Sequence, residues 1–188
     1  MLDEIFFGNR ILKNSSRQYQ SKNYQKGEKP MIEKDKANIF ELLRKDHQEI
    51  RRTLANLTGL NELAWKARQE AFSKLQRQLL LHMRLEEKEF YSAFIDNHMS
   101  YFEVLKSLEE HHIADILLNE LDIKPVDSDS WKAKLLVLKN IIERHMQVEE
   151  NRLFEIALNI LSNQKIYLIG KKFVEKKEKA EEHGLAAA

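Results

Sequence analysis

The chain has no cysteine, two prolines and five glycines among its 188 residues. Without thiols there is no disulfide, no thiolate-held iron–sulfur cluster and no cysteine nucleophile, so any metal must be taken by histidine and carboxylate. Few helix breakers, with Leu, Glu, Lys, Ile, Ala and Arg abundant, make the composition that of a nearly all-helical protein. Charge of one sign is missing too. Lys plus Arg number 31 against 30 for Asp plus Glu, so no bulk charge draws the protein to nucleic acid or an anionic membrane. No apolar run approaches a membrane span, and the opening MLDEIFFGNR is acidic where a secretory signal is basic. These absences predict a cytoplasmic protein with neither nucleic acid nor membrane as partner, and the length suits one domain with tails.

Residues 1–33 read as a polar extension and linker, with a short apolar stretch at Ile5, Phe6 and Phe7 that is given no docking place. Residues 34–162 form the domain, 163–183 an amphipathic C-terminal helix, and 184–188 a cloning remnant. Helical periodicity predicts long segments at 37–58, 62–97, 100–121 and 130–162, then a weaker one at 164–182. Thr58-Gly59 and Asp96-Asn97 end the first two, and Pro125 with Asp127 to Ser130 offers a turn and N-cap before Trp131. Short links between long helices imply antiparallel neighbours. The expected fold is all-α, an up-down-up-down antiparallel four-helix bundle with a fifth, C-terminal helix.

An internal repeat carries the chemistry. The inward seam of the second helix is Phe72, Leu75, Leu79, His82, Glu86, Phe90, Ala93; that of the fourth is Leu135, Leu138, Ile142, His145, Glu149, Leu153, Ile156, with identical steps. The first helix gives Phe40, Leu43, His47, Ile50, Leu54, Leu57 and the third Val104, Ser107, His111, Ala114, Leu118, Leu121. The offsets are 63 and 64 residues, so one helical hairpin is written twice.

Four histidines and two glutamates then face one interior. A single histidine on an apolar face is usually a hydrogen-bonded core residue, but a buried unpaired carboxylate costs several kcal/mol, and here there are two. No Lys or Arg shares these seams at the level of the glutamates; Arg84 and Arg144 lie off their phase. His82 with Glu86 and His145 with Glu149 are four apart, stacked on one helix face as two-ligand clamps. Four imidazoles and two carboxylates without sulfur suit a dinuclear site: di-iron first, manganese or zinc after it. The Glu-x-x-His spacing of ferritin-like di-iron bundles is absent, since here the order is His-x-x-x-Glu.

The segments IFELLRKDHQEI, LLLHMRLEEKEFYSAF, LEEHHIADILLNEL and IIERHMQVEENRLF together resemble the hemerythrin superfamily, specifically its HHE cation-binding type, over about residues 37–160. The resemblance implies two iron ions, Fe2+ or Fe3+, with an oxo or hydroxo bridge. One is held by His47 and His82, the other by His111 and His145, and Glu86 and Glu149 bridge them. Glu87 and Glu150 are alternatives for the bridging carboxylates, and His112 for His111; His98 and His183 are read as surface residues.

Oxygen-carrying hemerythrins have a further histidine one turn from the third-helix ligand, where this chain has Ser107 and Asp115. Sensing, storage or iron and oxidative-stress handling, with O2, NO or peroxide as the small ligand, therefore stands beside transport. Binding without turnover is the reading taken; the alternatives are a di-iron oxidase or peroxidase, or a metal-stabilised protein-interaction module using the C-terminal helix.

Overall fold

The structure, a computed structural model, describes residues 38–61 and 63–182. The readings for Ile5, Phe6 and Phe7, for the linker, for His183 and for 184–188 lie outside the described residues. Helix α1 (Ile39–Gly59) starts where the Asn38 side chain accepts a hydrogen bond from the Phe40 amide, satisfying one of the four orphan donors of a first turn. It ends at Gly59, after which Leu60 is extended. Helices α2 (Trp65–Leu85) and α3 (Tyr101–Asp122) follow. Helix α4 (Asp129–Val148) is capped by Ser128, whose hydroxyl accepts from the Trp131 amide, within the turn predicted from the sequence.

Neither α2 nor α4 ends as a regular helix. Each passes, at its glutamate, into one π-helical turn, Glu86–Phe90 and Glu149–Leu153. The first tightens into a 3-10 turn, Tyr91–Ala93; the second runs on as α5 (Phe154–Ile160). A π turn takes up an extra residue, so the inward face moves on by one position. The seams predicted to continue to Ala93 and Ile156 are displaced accordingly. Tyr91 and Phe94 are buried beyond Phe90, and Phe154 and Ala157 beyond Leu153, while Ala93 and Ile156 are half-buried. The second helical stretch also stops at Ala93 rather than at 97.

Cross-pairs give the direction of the helices. Thr53 donates to Gln78 while His47 packs on His82; Lys134 meets Glu120 while His111 meets His145; Arg51 meets Glu150 while Phe40 meets Phe154. In each case numbering rises along one helix as it falls along the other, so these neighbours run antiparallel. Arg68, buried on α2, ties one end together by donating to the carbonyls of Val126, Leu60 and Asn61. Among the described residues there is no strand, and no helix is long and apolar enough to cross a membrane.

Two apolar clusters fill the interior. One gathers Leu54, Leu57, Phe72, Leu118, Trp131 and their neighbours; the other gathers Phe40, Phe90, Phe94, Phe154 and Phe173. The expected C-terminal helix is α6 (Asn163–Glu182), which lies against α1 and α2 with Ile166, Ile169 and Phe173 buried. Its apolar stripe is thus covered by the bundle. Between the two clusters lies a polar layer built mainly of histidines and glutamates.

Candidate metal centre

His47, His82, Glu86, His111, His145 and Glu149 are all buried, none more than 3% exposed. They come from four different helical stretches and meet because the apolar residues one turn away on each seam set their phase. The Nε2 atoms of His82, His111 and His145 lie 3.6, 3.3 and 3.7 Å from one oxygen of Glu86, and His47 Nε2 lies 3.2 Å from Glu149. Two groups have the compactness of a metal site, His47–His82–Glu86 and Glu86–His111–His145, and Glu86 belongs to both. His112 is exposed, as is His98, so of the adjacent pair it is His111 that enters the layer.

Behind each imidazole stands a carboxylate. His47 Nδ1 lies 2.8 Å from Glu150, His111 Nδ1 2.8 Å from Glu87, and His145 Nδ1 3.0 Å from Glu110; His82 Nδ1 is 3.8 Å from Asp46. An ionised carboxylate only accepts, so at the three close pairs Nδ1 carries the hydrogen, and in the neutral ring Nε2 turns a lone pair inward. That is the outer arrangement by which metal-binding histidines are oriented and made more basic. Glu87 and Glu150, the sequence alternatives for the bridging positions, are occupied with histidines on this outer side.

The inner atoms fit a cation. His47 Nε2, His82 Nε2, Glu86 Oε1 and both oxygens of Glu149 are buried without a hydrogen-bond partner, which costs roughly 1–3 kcal/mol for each such group. His111 Nε2 and His145 Nε2 are 3.1 Å apart, a distance at which two lone pairs repel unless a proton or cation lies between them. Imidazole and carboxylate donors without sulfur suit iron, manganese or zinc.

Sequence reasoning missed Tyr91. Its hydroxyl donates to Glu86 Oε2 at 3.1 Å, it stacks on His111, and it faces Ser107, the position where an additional imidazole was sought. The π turn hides it, because regular periodicity points residue 91 away from the seam. The outer carboxylates were missed as partners too. A signal for them exists: an acid directly precedes each lone histidine (Asp46, Glu110) and directly follows each seam glutamate (Glu87, Glu150) in both halves.

With this geometry in view, the hemerythrin HHE cation-binding domain family matches residues 38–157. The chain belongs to that family. A crystal structure of a hemerythrin HHE cation-binding domain-containing protein from Mycobacterium kansasii superposes with a TM-score of 0.69 at 19% identity, covering 79% of this chain and 90% of the other. At that identity the likeness speaks for the shared helical fold. No curated protein matches. Cation binding is the property for which the family is described, and the polar layer of this hemerythrin-like domain has the donors for it.

Charge in the layer is finely divided. Burial works to raise the Glu86 carboxyl, but His82, His111 and His145 around it outweigh that and hold it well below the usual range. Glu149 is pushed well up, by burial and by the facing Glu86 carboxylate. His82 is lowered, chiefly by burial. For His111 burial is overcome by Glu86 and Glu87, which raise it to about 9. Glu110 is held down to about 2, first by its bond from His145, then by Arg144.

A histidine raised in the fold stabilises it fully below its unfolded value of 6.5, and that contribution is lost as the pH climbs through about 9. Glu110 acts oppositely: its contribution is present above 4.5 and lost as the pH falls through about 2. The metal-free hemerythrin-like domain is therefore expected to have a lower urea midpoint at pH 9 than at pH 7. Zinc loading at pH 7 should also release protons, seen as a buffer-dependent heat in titration calorimetry. Equal midpoints together with a buffer-independent heat would contradict this charge assignment.

Proposed function

We propose that this hemerythrin-like domain is a non-heme di-iron protein. His47 and His82 would hold one ion, His111 and His145 the other, and Glu86 and Glu149 would span both. Its role is to take up O2, NO or peroxide in the cytoplasm for sensing, storage, or iron and oxidative-stress handling. The observation that carries the reading is the shared carboxylate: two buried His–His–Glu groups overlap at Glu86.

Iron at such donors supplies open coordination positions and one-electron chemistry toward small oxygen and nitrogen ligands. The rest is done by the protein. The outer carboxylates fix which imidazole nitrogen faces inward. The apolar clusters on either side shield the layer from bulk water, which strengthens every electrostatic interaction inside it. Tyr91 presents a hydroxyl hydrogen to Glu86 and adjoins Ser107, the position at which an oxygen carrier has another imidazole.

Anaerobic loading with ferrous iron should give two ions per chain by elemental analysis, and air should then bring up near-ultraviolet and visible bands that azide shifts. One iron or none per chain, or a spectrum indifferent to air and azide, would sink the di-iron reading. Elemental analysis of the protein as purified distinguishes iron from manganese or zinc. Tyr91 also favours a second reading, a di-iron oxidase or peroxidase, because burial raises its hydroxyl well above the ordinary tyrosine range and so keeps a proton beside the layer. Steady-state turnover of peroxide with a reductant separates the two.

A further inference from the structure

The two halves match in their ligands and in the carboxylates behind them, and then differ in the cation that holds one of those carboxylates. In the second half Arg144, next to His145, donates to Glu110 at 2.6 Å, and Glu110 accepts from His145. In the first half the carboxylate equivalent to Glu110 is Asp46, and the residue equivalent to Arg144 is Leu81. Leu81 has no charge to offer. A lysine from outside the repeat stands in its place: Lys177 of α6 bonds Asp46 Oδ1, while Asp46 Oδ2 faces His82 Nδ1 at 3.8 Å. Lys177 lies beyond the stretch matched by the HHE family, which ends at residue 157.

Asp46 is 7% exposed, so its charge needs a partner close by. Packing alone does not aim it. A cavity of about 80 Å³ adjoins it, lined by Asp46, Glu49, Gln78, His82, Lys177 and others, and this leaves the side chain room to turn away from the imidazole.

We infer that Lys177 is a positioning residue of the metal centre, through which α6 holds Asp46 against His82 as Arg144 holds Glu110 against His145. The inference rests on the reading of His82 as a ligand. It makes the two ion positions unequal in origin: the outer carboxylate of His145 is held from within the four helices, whereas that of His82 depends on a single lysine brought in by α6.

Zinc, a redox-silent probe, titrated against a chromophoric chelator tests this on the full chain. The wild type should take two ions. Lys177→Met should weaken one of them by roughly 10- to 100-fold, the range for loss of an outer-shell partner, and leave the other unchanged. Lys177→Arg should restore it. Lys176→Met, which releases α6 from Glu89 but not from Asp46, should leave both ions bound as before, separating positioning from docking. Asp46→Asn and the Asp46→Asn/Lys177→Met double variant should lose the same amount, because the lysine acts through the aspartate.

Two wild-type ions in Lys177→Met at wild-type affinity, an equal loss in Lys176→Met, or additive losses in the double variant would overturn the inference while leaving the dinuclear site standing. A wild-type protein that takes fewer than two zinc ions removes both together. If Lys177→Met does not fold, Lys177→Gln takes its place in the single and the double variant, with the same outcomes expected.

Discussion

Glu86→Gln is expected to strip iron from both positions, and Glu149→Gln to strip less. Glutamine keeps the shape of the side chain and removes its charge, so the variant isolates what the carboxylate does. Glu86 belongs to both His–His–Glu groups, and its Oε2 lies within 4 Å of three imidazole nitrogens. Glu149 contacts the inner nitrogen of His47 at 3.2 Å. Outer-shell partners of metal sites are worth roughly 10- to 100-fold in affinity; a carboxylate shared by two cations should exceed that, so Glu86→Gln should cost more than about 100-fold. His98→Ala, on an exposed turn, serves as the control and should leave iron per chain unchanged. Elemental analysis of the three variants after identical anaerobic loading is the measurement, and equal iron in all three removes the assignment.

The second large effect is thermal. A ligand that binds only the folded state stabilises it by RT ln(1 + [L]/Kd), about 4 kcal/mol at a thousandfold excess over Kd. For a chain of this size each kcal/mol moves the midpoint by roughly 2–4 °C, so loaded protein should melt on the order of 10 °C above chelator-treated protein. The structural cause is specific. Five inward-facing ring and carboxyl atoms have no hydrogen-bond partner, and Glu86 and Glu149 face each other in a layer closed off by apolar clusters. A cation answers all of these at once; protons answer only some. Coincident melting curves with and without zinc would mean that these atoms find their partners elsewhere.

Much of this was legible in the sequence because the signals were redundant. Phe40 to Leu57 and Val104 to Leu121 obey one period without interruption, and every one of those seam positions is buried. The six candidate site residues sit on the same periods and are buried together, and their duplication argues against a separate structural reason for each histidine. Where the reading failed, the period itself changed. Phe90 and Tyr91, like Leu153 and Phe154, are adjacent apolar residues compatible with either of two phases, and only the backbone shows that a π turn has selected the later one. Tyr91 and its bond to Glu86 followed from that.

The outer carboxylates were hidden for a different reason. Asp46, Glu87, Glu110 and Glu150 sit in charge-rich stretches that look like solvated faces, and their partners lie on other helices. Asp46 reaches His82 within its own hairpin, and Glu87 reaches His111 across to the next. Lys177 was harder still, being one of several lysines on a helix the repeat does not include. Nothing local marks it; only the missing base at Leu81, compared with Arg144, gives it a purpose.

The one-residue insertions at Glu86–Phe90 and Glu149–Leu153 have a consequence for how such a scaffold tolerates change. An uninterrupted helix ties every side chain to a common screw, so rotating an aromatic ring into place would rotate the carboxylate one turn away by the same angle. The wider turn acts as a slip joint. Aromatic packing beyond it and donor placement before it obey separate registers, which leaves variation free to resculpt the Phe90–Phe154 end while the donors stay where they are.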